Sequence, residues 1–92
     1  MKHATPAGLD RLEPLLEQLR ALEDLREKKR GVFYRRSRAF LHFHEDPEGL
    51  FADVRLRGDF ELFRVSTKAG QRAVLAKIRA SLGGTRGRGG SR

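Results

Sequence analysis

Hydrophobic residues near the start of the chain recur at steps of three and four residues. Seven leucines follow this spacing, with Glu and Arg between them: Leu9, Leu12, Leu15, Leu16, Leu19, Leu22 and Leu25. The period predicts an amphipathic helix from Leu9 to about Lys29. Asp10 and Glu13 form a capping-box pattern at its start. Pro14 is tolerated in the first turn, and Gly31 is expected to end the helix.

After Gly31 the pattern changes to alternation, and aromatic and β-branched residues become frequent. Four strands are predicted, near 32–36, 38–45, 50–57 and 60–65. The turns between them fall at Arg36-Ser37, at Asp46-Pro47-Glu48-Gly49 and at Arg57-Gly58-Asp59. Because these turns are short, the strands are expected to pair as an antiparallel meander.

A second amphipathic helix is predicted after the strands. It begins at Thr67 or Lys68, and its apolar stripe consists of Val74, Leu75, Ile78 and Leu82. The sequence therefore predicts one small α+β domain over residues 9–82, in the order α-β-β-β-β-α, with both helices packed on one face of the sheet. Residues 1–8 are expected to be a flexible N-terminus. Residues 83–92 are expected to be a disordered Arg/Gly-rich tail.

The register of the middle hairpin decides which way its two histidines point, because a slip of one residue moves every side chain to the other face. With Asp46 to Gly49 as the loop, Glu45 faces Leu50 and the helix-facing side is apolar: Ala39, Leu41, Phe43, Ala52, Val54 and Leu56. The opposite face then holds Phe40, His42, His44, Phe51, Asp53 and Arg55. A loop of three residues would bury both imidazoles among apolar side chains. That burial is unfavourable, so the first register is expected.

His42, His44 and Asp53 form a candidate functional constellation. Alternate residues of a strand project together, and imidazole is a common ligand of Zn²⁺, Cu²⁺ and Ni²⁺. The alternative is a structural role, with His42 in a cross-strand hydrogen bond to Asp53 whose loss in His42→Ala would cost stability. Residues two apart on a strand are separated by about 7 Å along its axis, so both rings must lean inward to share a metal. The sequence therefore predicts no bound metal and no cofactor.

Composition limits the function classes. The 92 residues include no Cys, which excludes disulfides, thiolate metal sites and a cysteine nucleophile. No apolar run approaches the length of a membrane span, and the first residues lack the apolar stretch of a secretory signal. We therefore expect a cytoplasmic protein without a membrane partner. A core this small also makes a homodimer a reasonable expectation.

The formal net charge of +8 favours polyanionic partners such as nucleic acid. Much of the excess lies in one segment, where the candidate nucleic-acid-binding residues are Lys28, Lys29, Arg30, Arg35, Arg36 and Arg38. Phe33 and Tyr34 lie among them, and rings beside cations are typical of nucleic-acid surfaces. The structural alternative is that these cations complement a helix C-terminus and protect an edge strand.

The segment Phe40-Leu41-His42-Phe43-His44, followed by Ala52-Asp53-Val54, resembles short bacterial proteins, notably actinobacterial ones, without an established activity. In these a helix precedes a Phe-Leu-His-Phe-His strand and a polar helix closes the chain. The resemblance covers roughly residues 9–82. It implies one α+β domain and a role for the His42, His44 and Asp53 positions, and it implies no particular function.

Enzymatic motifs are sparse in this chain. No Ser or Thr stands in a nucleophile-elbow pattern, and no glycine-rich phosphate loop joins a strand to a helix. The sequence therefore favours a small non-enzymatic binding module that contacts nucleic acid or another polyanion. One alternative is a protein-protein or homodimer interface on the outer sheet face, formed by Phe40, Phe51 and Phe63. A less favoured alternative is a metal-dependent or acid-base enzyme that uses the two histidines and Asp53.

Overall fold

The computed structural model describes residues 1–83, in which three helices accompany a six-stranded antiparallel sheet. The strands are β1 (Lys2–His3), β2 (Leu25–Lys29), β3 (Val32–Arg35), β4 (Arg38–Asp46), β5 (Gly49–Arg55) and β6 (Phe60–Arg64). The helices are α1 (Pro6–Arg11), α2 (Glu13–Arg20) and α3 (Lys68–Gly83). The predicted α+β class is confirmed. Residues 84–92 of the predicted tail lie outside the described residues, and Gly83 is the last residue of α3.

The sheet is a meander in the order β2-β3-β4-β5-β6, as the short turns predict. Strand β1 also pairs with β4, where His3 faces His44. Because β5 occupies one edge of β4, β1 lies on the other edge and continues the line of β3. The N-terminal segment is thereby tied to the centre of the sheet, although the sequence predicts residues 1–8 to be flexible.

Residues between β1 and α1 make this attachment. The side chain of Thr5 caps α1 by accepting from the Gly8 backbone N–H at 3.1 Å. Its own backbone N–H and hydroxyl each donate to Glu45 Oε1 at 2.9 Å. These hydrogen bonds lower the pKa of the Glu45 carboxyl, because they favour its ionised form.

The core lies between the helices and one face of the sheet. Leucines of α2, the apolar stripe of α3 and the inward residues of the strands form one buried cluster. Phe33 of β3 and Val54 of β5 are fully buried within it. The helices leave the opposite face of the sheet, which we call the outer face, without helical cover.

The prediction of one helix from Leu9 to about Lys29 is wrong beyond Arg20, where α2 ends. Leu25–Lys29 forms a strand that pairs with β3 through a turn at Arg30 and Gly31, and Gly31 adopts φ +82° in that turn. Leu25 satisfies the helical spacing and equally the inward position of a strand, so its burial does not distinguish the two. Gly31 is therefore a hairpin residue and does not end a helix. The capping-box prediction is also wrong, because Thr5 caps α1 and α2 follows Leu12 with no side-chain cap.

Phe40 also differs from the expectation that it lies on the outer face. The β3–β4 register passes from Phe33 opposite Leu41 to Tyr34 opposite Ala39, which leaves Phe40 as an extra residue on β4. Such a bulge places two successive side chains on one side of the sheet. Phe40 therefore joins Leu41 in the core and is only 2% exposed.

No helix among residues 1–83 has the length and apolar character needed to cross a membrane.

Candidate functional site

The predicted register of the β4–β5 hairpin is confirmed. His42 pairs with Asp53, His44 with Phe51 and Glu45 with Leu50. Asp46 and Gly49 also pair, which shortens the loop to two residues. Both histidines and Asp53 consequently project from the outer face, while Leu41 and Val54 are buried beneath the helices.

The three side chains converge on one carboxylate oxygen. Nε2 of His42 lies 3.7 Å from Asp53 Oδ2, and Nε2 of His44 lies 3.6 Å from the same atom. The rings meet edge to face with their centroids 4.6 Å apart, so both lean inward despite their spacing along the strand. Neither separation is short enough for a hydrogen bond. The predicted hydrogen-bonded His42–Asp53 pair is therefore wrong.

The surroundings of this cluster favour the neutral form of His42. Both histidines are largely buried, with side-chain exposures of 23% for His42 and 16% for His44. Burial lowers the pKa of His42, and the neighbouring His44 lowers it further, while Asp53 acts in the opposite direction. A third ring, His3 of β1, lies with its centroid 5.6 Å from that of His44.

The remaining imidazole nitrogens have no partners within the cluster. Nδ1 of His42 and Nδ1 of His44 are both buried, and neither forms a hydrogen bond with any group of residues 1–83. Buried polar atoms are hydrogen-bonded in the great majority of cases, so an unsatisfied pair requires a reason. Internal hydrogen bonding is therefore not what holds these two rings together.

The structure separates the candidate nucleic-acid-binding residues into two groups. Lys28, Lys29 and Arg30 lie at the β2–β3 turn, whereas Arg35, Arg36 and Arg38 lie at the β3–β4 turn. The two turns are at opposite ends of β3, because consecutive turns of a meander alternate between the ends of the sheet. The six residues therefore do not form one surface.

Two residues of the group at the β2–β3 turn, Lys28 and Arg30, are engaged within the protein. Arg30 forms ion pairs with Asp10 at 2.9 Å and with Glu13 at 2.8 Å. The Lys28 ammonium lies over the ring of Tyr34, 5.1 Å from its centroid. Both cations thus have partners already, and Arg30 is neutralised by two carboxylates.

The group at the β3–β4 turn borders an open cavity of about 330 Å³. Four of the residues that line it are arginines, which we call together the arginine pocket: Arg35, Arg36, Arg38 and Arg55. Phe40 and Leu56 supply apolar lining, and among residues 1–83 no Asp or Glu contributes to it. Glu23 and Asp24 line a separate depression that Arg35 and Arg36 also border, whereas Arg38 and Arg55 do not. An anion is therefore favoured on the side of Arg38 and Arg55.

Arg55 is held in position more firmly than the arginines of the turn. Its Nε donates to the Ala39 carbonyl and its Nη1 to the Gly58 carbonyl, each at 2.9 Å. The guanidinium also lies over the ring of Phe60, 4.3 Å from its centroid. These contacts leave other N–H groups of the guanidinium available for an anion.

Arg36 adopts a left-handed backbone conformation, with φ +59°, inside the two-residue turn between Arg35 and Arg38. Glycine is preferred at the first position of such a turn when only that position has positive φ. A non-glycine residue there costs about 1–3 kcal/mol of backbone strain. The turn thus presents an arginine where stability alone favours glycine.

Replacing Arg36 with Gly is expected to raise the free energy of unfolding by about 1 kcal/mol, because the relieved strain exceeds the added entropy of the unfolded chain. Urea unfolding measures this change. Ser37→Gly in the same turn serves as the control, and it is expected to bring no gain because Ser37 carries no positive φ. A loss of stability in Arg36→Gly would contradict the strain.

The apolar interface proposed for the outer face is reduced in the structure. Phe40 is in the core, and Phe63 packs against that core from β6. Phe51 is half-buried, and Leu62 is 49% exposed. Histidines, Asp53 and arginines occupy much of the face between them.

Comparison of the chain with protein-family models, with curated proteins and with solved structures finds no significant match. The roles of its residues therefore follow from their geometry alone.

Two residues near these sites were missed as functional candidates in the sequence. Arg55 lies two residues after Asp53 on β5. Its side chain reaches the β3–β4 turn through contacts with Ala39 and with Gly58 of the β5–β6 turn, which the strand pattern does not reveal. His3 precedes the first helix in a segment with no strand pattern, and no signal in the sequence places it beside His44.

Proposed function

We propose that this chain is a small, non-enzymatic cytoplasmic module that binds nucleic acid through the arginine pocket. The observation that carries the proposal is the set of four arginines around one cavity without a lining carboxylate among the described residues. A phosphate placed there gains charge-assisted hydrogen bonds from guanidinium groups, which bind phosphate oxygens in a fixed fork geometry.

The ion pairs elsewhere in the protein strengthen this assignment. Arg20 and Arg30 are paired with Glu13, and Arg20 is also paired with Glu27. Among residues 1–83, Arg35, Arg36 and Arg38 form no ion pair with a carboxylate within 4.0 Å. The guanidinium groups of these three residues are therefore not neutralised by a carboxylate of the described residues.

The size and openness of the pocket favour a polymer over a free nucleotide. Its volume of about 330 Å³ is at the lower end for small-molecule sites, and three of its four arginines lie at the β3–β4 turn, where Arg36 and Arg38 are exposed. Such a site accommodates one phosphate with part of its sugar, and a longer backbone extends past it. The net charge of +8 adds long-range attraction for the rest of the polymer.

Removing the three arginines of the turn tests the proposal. Arg35→Gln/Arg36→Gln/Arg38→Gln is expected to weaken binding of a labelled oligonucleotide by about 10- to 100-fold at low salt. It is also expected to lower the slope of log affinity against log salt by about 2 to 3, because about one counterion is released for each phosphate contact. Fluorescence anisotropy at stepped salt concentrations measures both quantities.

The matched control removes the same charge from the exposed face of α3, as Arg72→Gln/Lys77→Gln/Arg79→Gln. Both variants lose the same long-range attraction, so the difference between them reports contacts at the pocket. We expect the control to keep most of the salt slope. Equal losses in the two variants would contradict a defined site, and a wild-type protein that binds neither RNA nor DNA at low salt would rule out the function.

A further inference from the structure

We propose that His42, His44 and Asp53 form a binding site for a divalent transition metal on the outer face of the sheet. This site is separate from the arginine pocket and stands on a different observation, the convergence of three metal-ligating side chains. Two imidazoles and a carboxylate are a donor set that zinc and related metals accept.

The distances fit a shared metal better than they fit direct contact. Two ligand atoms that each lie about 2.0–2.1 Å from a tetrahedral metal are about 3.3–3.4 Å apart. The two Nε2–Oδ2 separations are 3.7 and 3.6 Å, and one donor atom from each of the three residues lies within 4.8 Å of the others. At the same bond length, octahedral neighbours would be only about 2.9 Å apart. The two His–Asp separations are therefore close to the ligand spacing around a tetrahedral metal, and to share an ion the two imidazole nitrogens must lie within about 4.2 Å of each other.

The backbone explains how residues of this spacing converge. Asp53 is directly opposite His42 in the β4–β5 register, and His44 is displaced from it along the neighbouring strand. The ring of Phe60 contacts His42 from the other side, with the centroids 5.2 Å apart. Packing by Phe60 on β6 and His3 on β1 thus confines the two imidazoles from both flanks and limits their rotation.

The cluster lacks the internal hydrogen bonds that a purely structural role would supply. Neither histidine reaches Asp53 at hydrogen-bonding distance, so the carboxylate and the two Nε2 atoms that face it are not bonded to one another. Three polar side chains that are mostly buried and poorly satisfied lower stability unless something else binds them. A metal ion bound here satisfies the Asp53 carboxylate and an imidazole nitrogen of each histidine together.

Three protein ligands leave the fourth position of a tetrahedral site open. Structural zinc sites are normally closed by four protein ligands, whereas three ligands and one open position are typical of sites that bind water or a ligand oxygen. The site faces away from the helices, so the open position is accessible from the outer face. A metal held by these three residues can therefore accept one exogenous oxygen or nitrogen ligand.

Zinc titration of untagged, metal-stripped protein tests the site. Isothermal titration calorimetry is expected to show one Zn²⁺ per chain, and zinc is expected to raise the midpoint of thermal unfolding. His44→Gln and His42→Gln are each expected to weaken zinc binding more than about 100-fold, and Asp53→Asn more than about tenfold, because each removes one of three ligands. Asp59→Asn, at an exposed carboxylate of the β5–β6 turn, is the control and is expected to bind zinc as the wild type does.

A second measurement separates lost ligands from lost folding. Circular dichroism and thermal unfolding in a chelator are expected to show that Asp53→Asn remains folded without metal. Substitution of Co²⁺ into the wild type is expected to give the intense visible absorption of a tetrahedral centre. Absence of zinc binding by the wild type, undiminished binding by folded Asp53→Asn, or an equal loss in Asp59→Asn would each overturn the proposal.

Discussion

Phe40→Ala is expected to lower the free energy of unfolding by about 3–5 kcal/mol, the cost of removing a buried phenyl ring from a packed core. The reason is the β-bulge, which turns Phe40 inward beside Leu41. Alternation along β4 predicts the opposite, with Phe40 and His42 on the same outer face. Urea unfolding of the variant therefore decides between the bulged and the regular strand.

Phe51→Ala is the matched control for this prediction. Phe51 lies on the outer face opposite His44 and is half-buried, so its truncation is expected to cost only about 1 kcal/mol. The same atoms are removed in both variants, and only the environment of the ring differs. Equal small losses would show that Phe40 lies outside the core and that β4 has no bulge.

Gly31→Ala is expected to cost about 2 kcal/mol. The residue has φ +82°, which strains any side chain, and an added Cβ would lie 2.7 Å from Cδ2 of Leu9. Gly58→Ala is the control, because Gly58 also has positive φ but has no heavy atom within 4 Å of the added Cβ. Its expected cost of about 1 kcal/mol represents the backbone strain alone.

A double-mutant cycle with Leu9→Ala makes this prediction specific to the hairpin. In the Leu9→Ala background, Gly31→Ala is expected to cost only as much as Gly58→Ala does, because the clash has been removed. If one helix ran from Leu9 to Lys29, Leu9 and Gly31 would be about 30 Å apart and could not interact. Additive losses in the cycle would therefore contradict a contact between Leu9 and Gly31.

Much of the fold was predictable because local pattern and tertiary environment agree. The alternation from Val32 to Val65 predicts four strands, and the apolar stripe predicts α3. The pattern fails at residues 25–29, where four consecutive charged residues follow Leu25. Because none of them is apolar, the segment lacks the alternation that indicates which face of a strand is buried. Pairing with β3 decides the conformation there, and this information is not local to the segment.

In the candidate sites, too, some features were predictable from the local sequence pattern and others depend on tertiary contacts. The register that places His42 opposite Asp53 followed from the cost of burying imidazoles on an apolar face. The actual separations of 3.7 and 3.6 Å depend on side-chain inclination and on packing by Phe60, which a strand pattern does not contain. The basic residues were grouped by their closeness in sequence, but a hairpin sends residues on either side of β3 to opposite ends of the sheet.

An NMR titration of the isotopically labelled full chain with a short oligonucleotide tests whether this protein contacts nucleic acid at the arginine pocket. We expect the amide signals of residues 35–40 and 55–58 to shift first and to saturate together, and those of Lys28, Lys29 and Arg30 to change little. Saturating shifts centred on the β2–β3 turn or on α3, with residues 35–40 unperturbed, would contradict the claim.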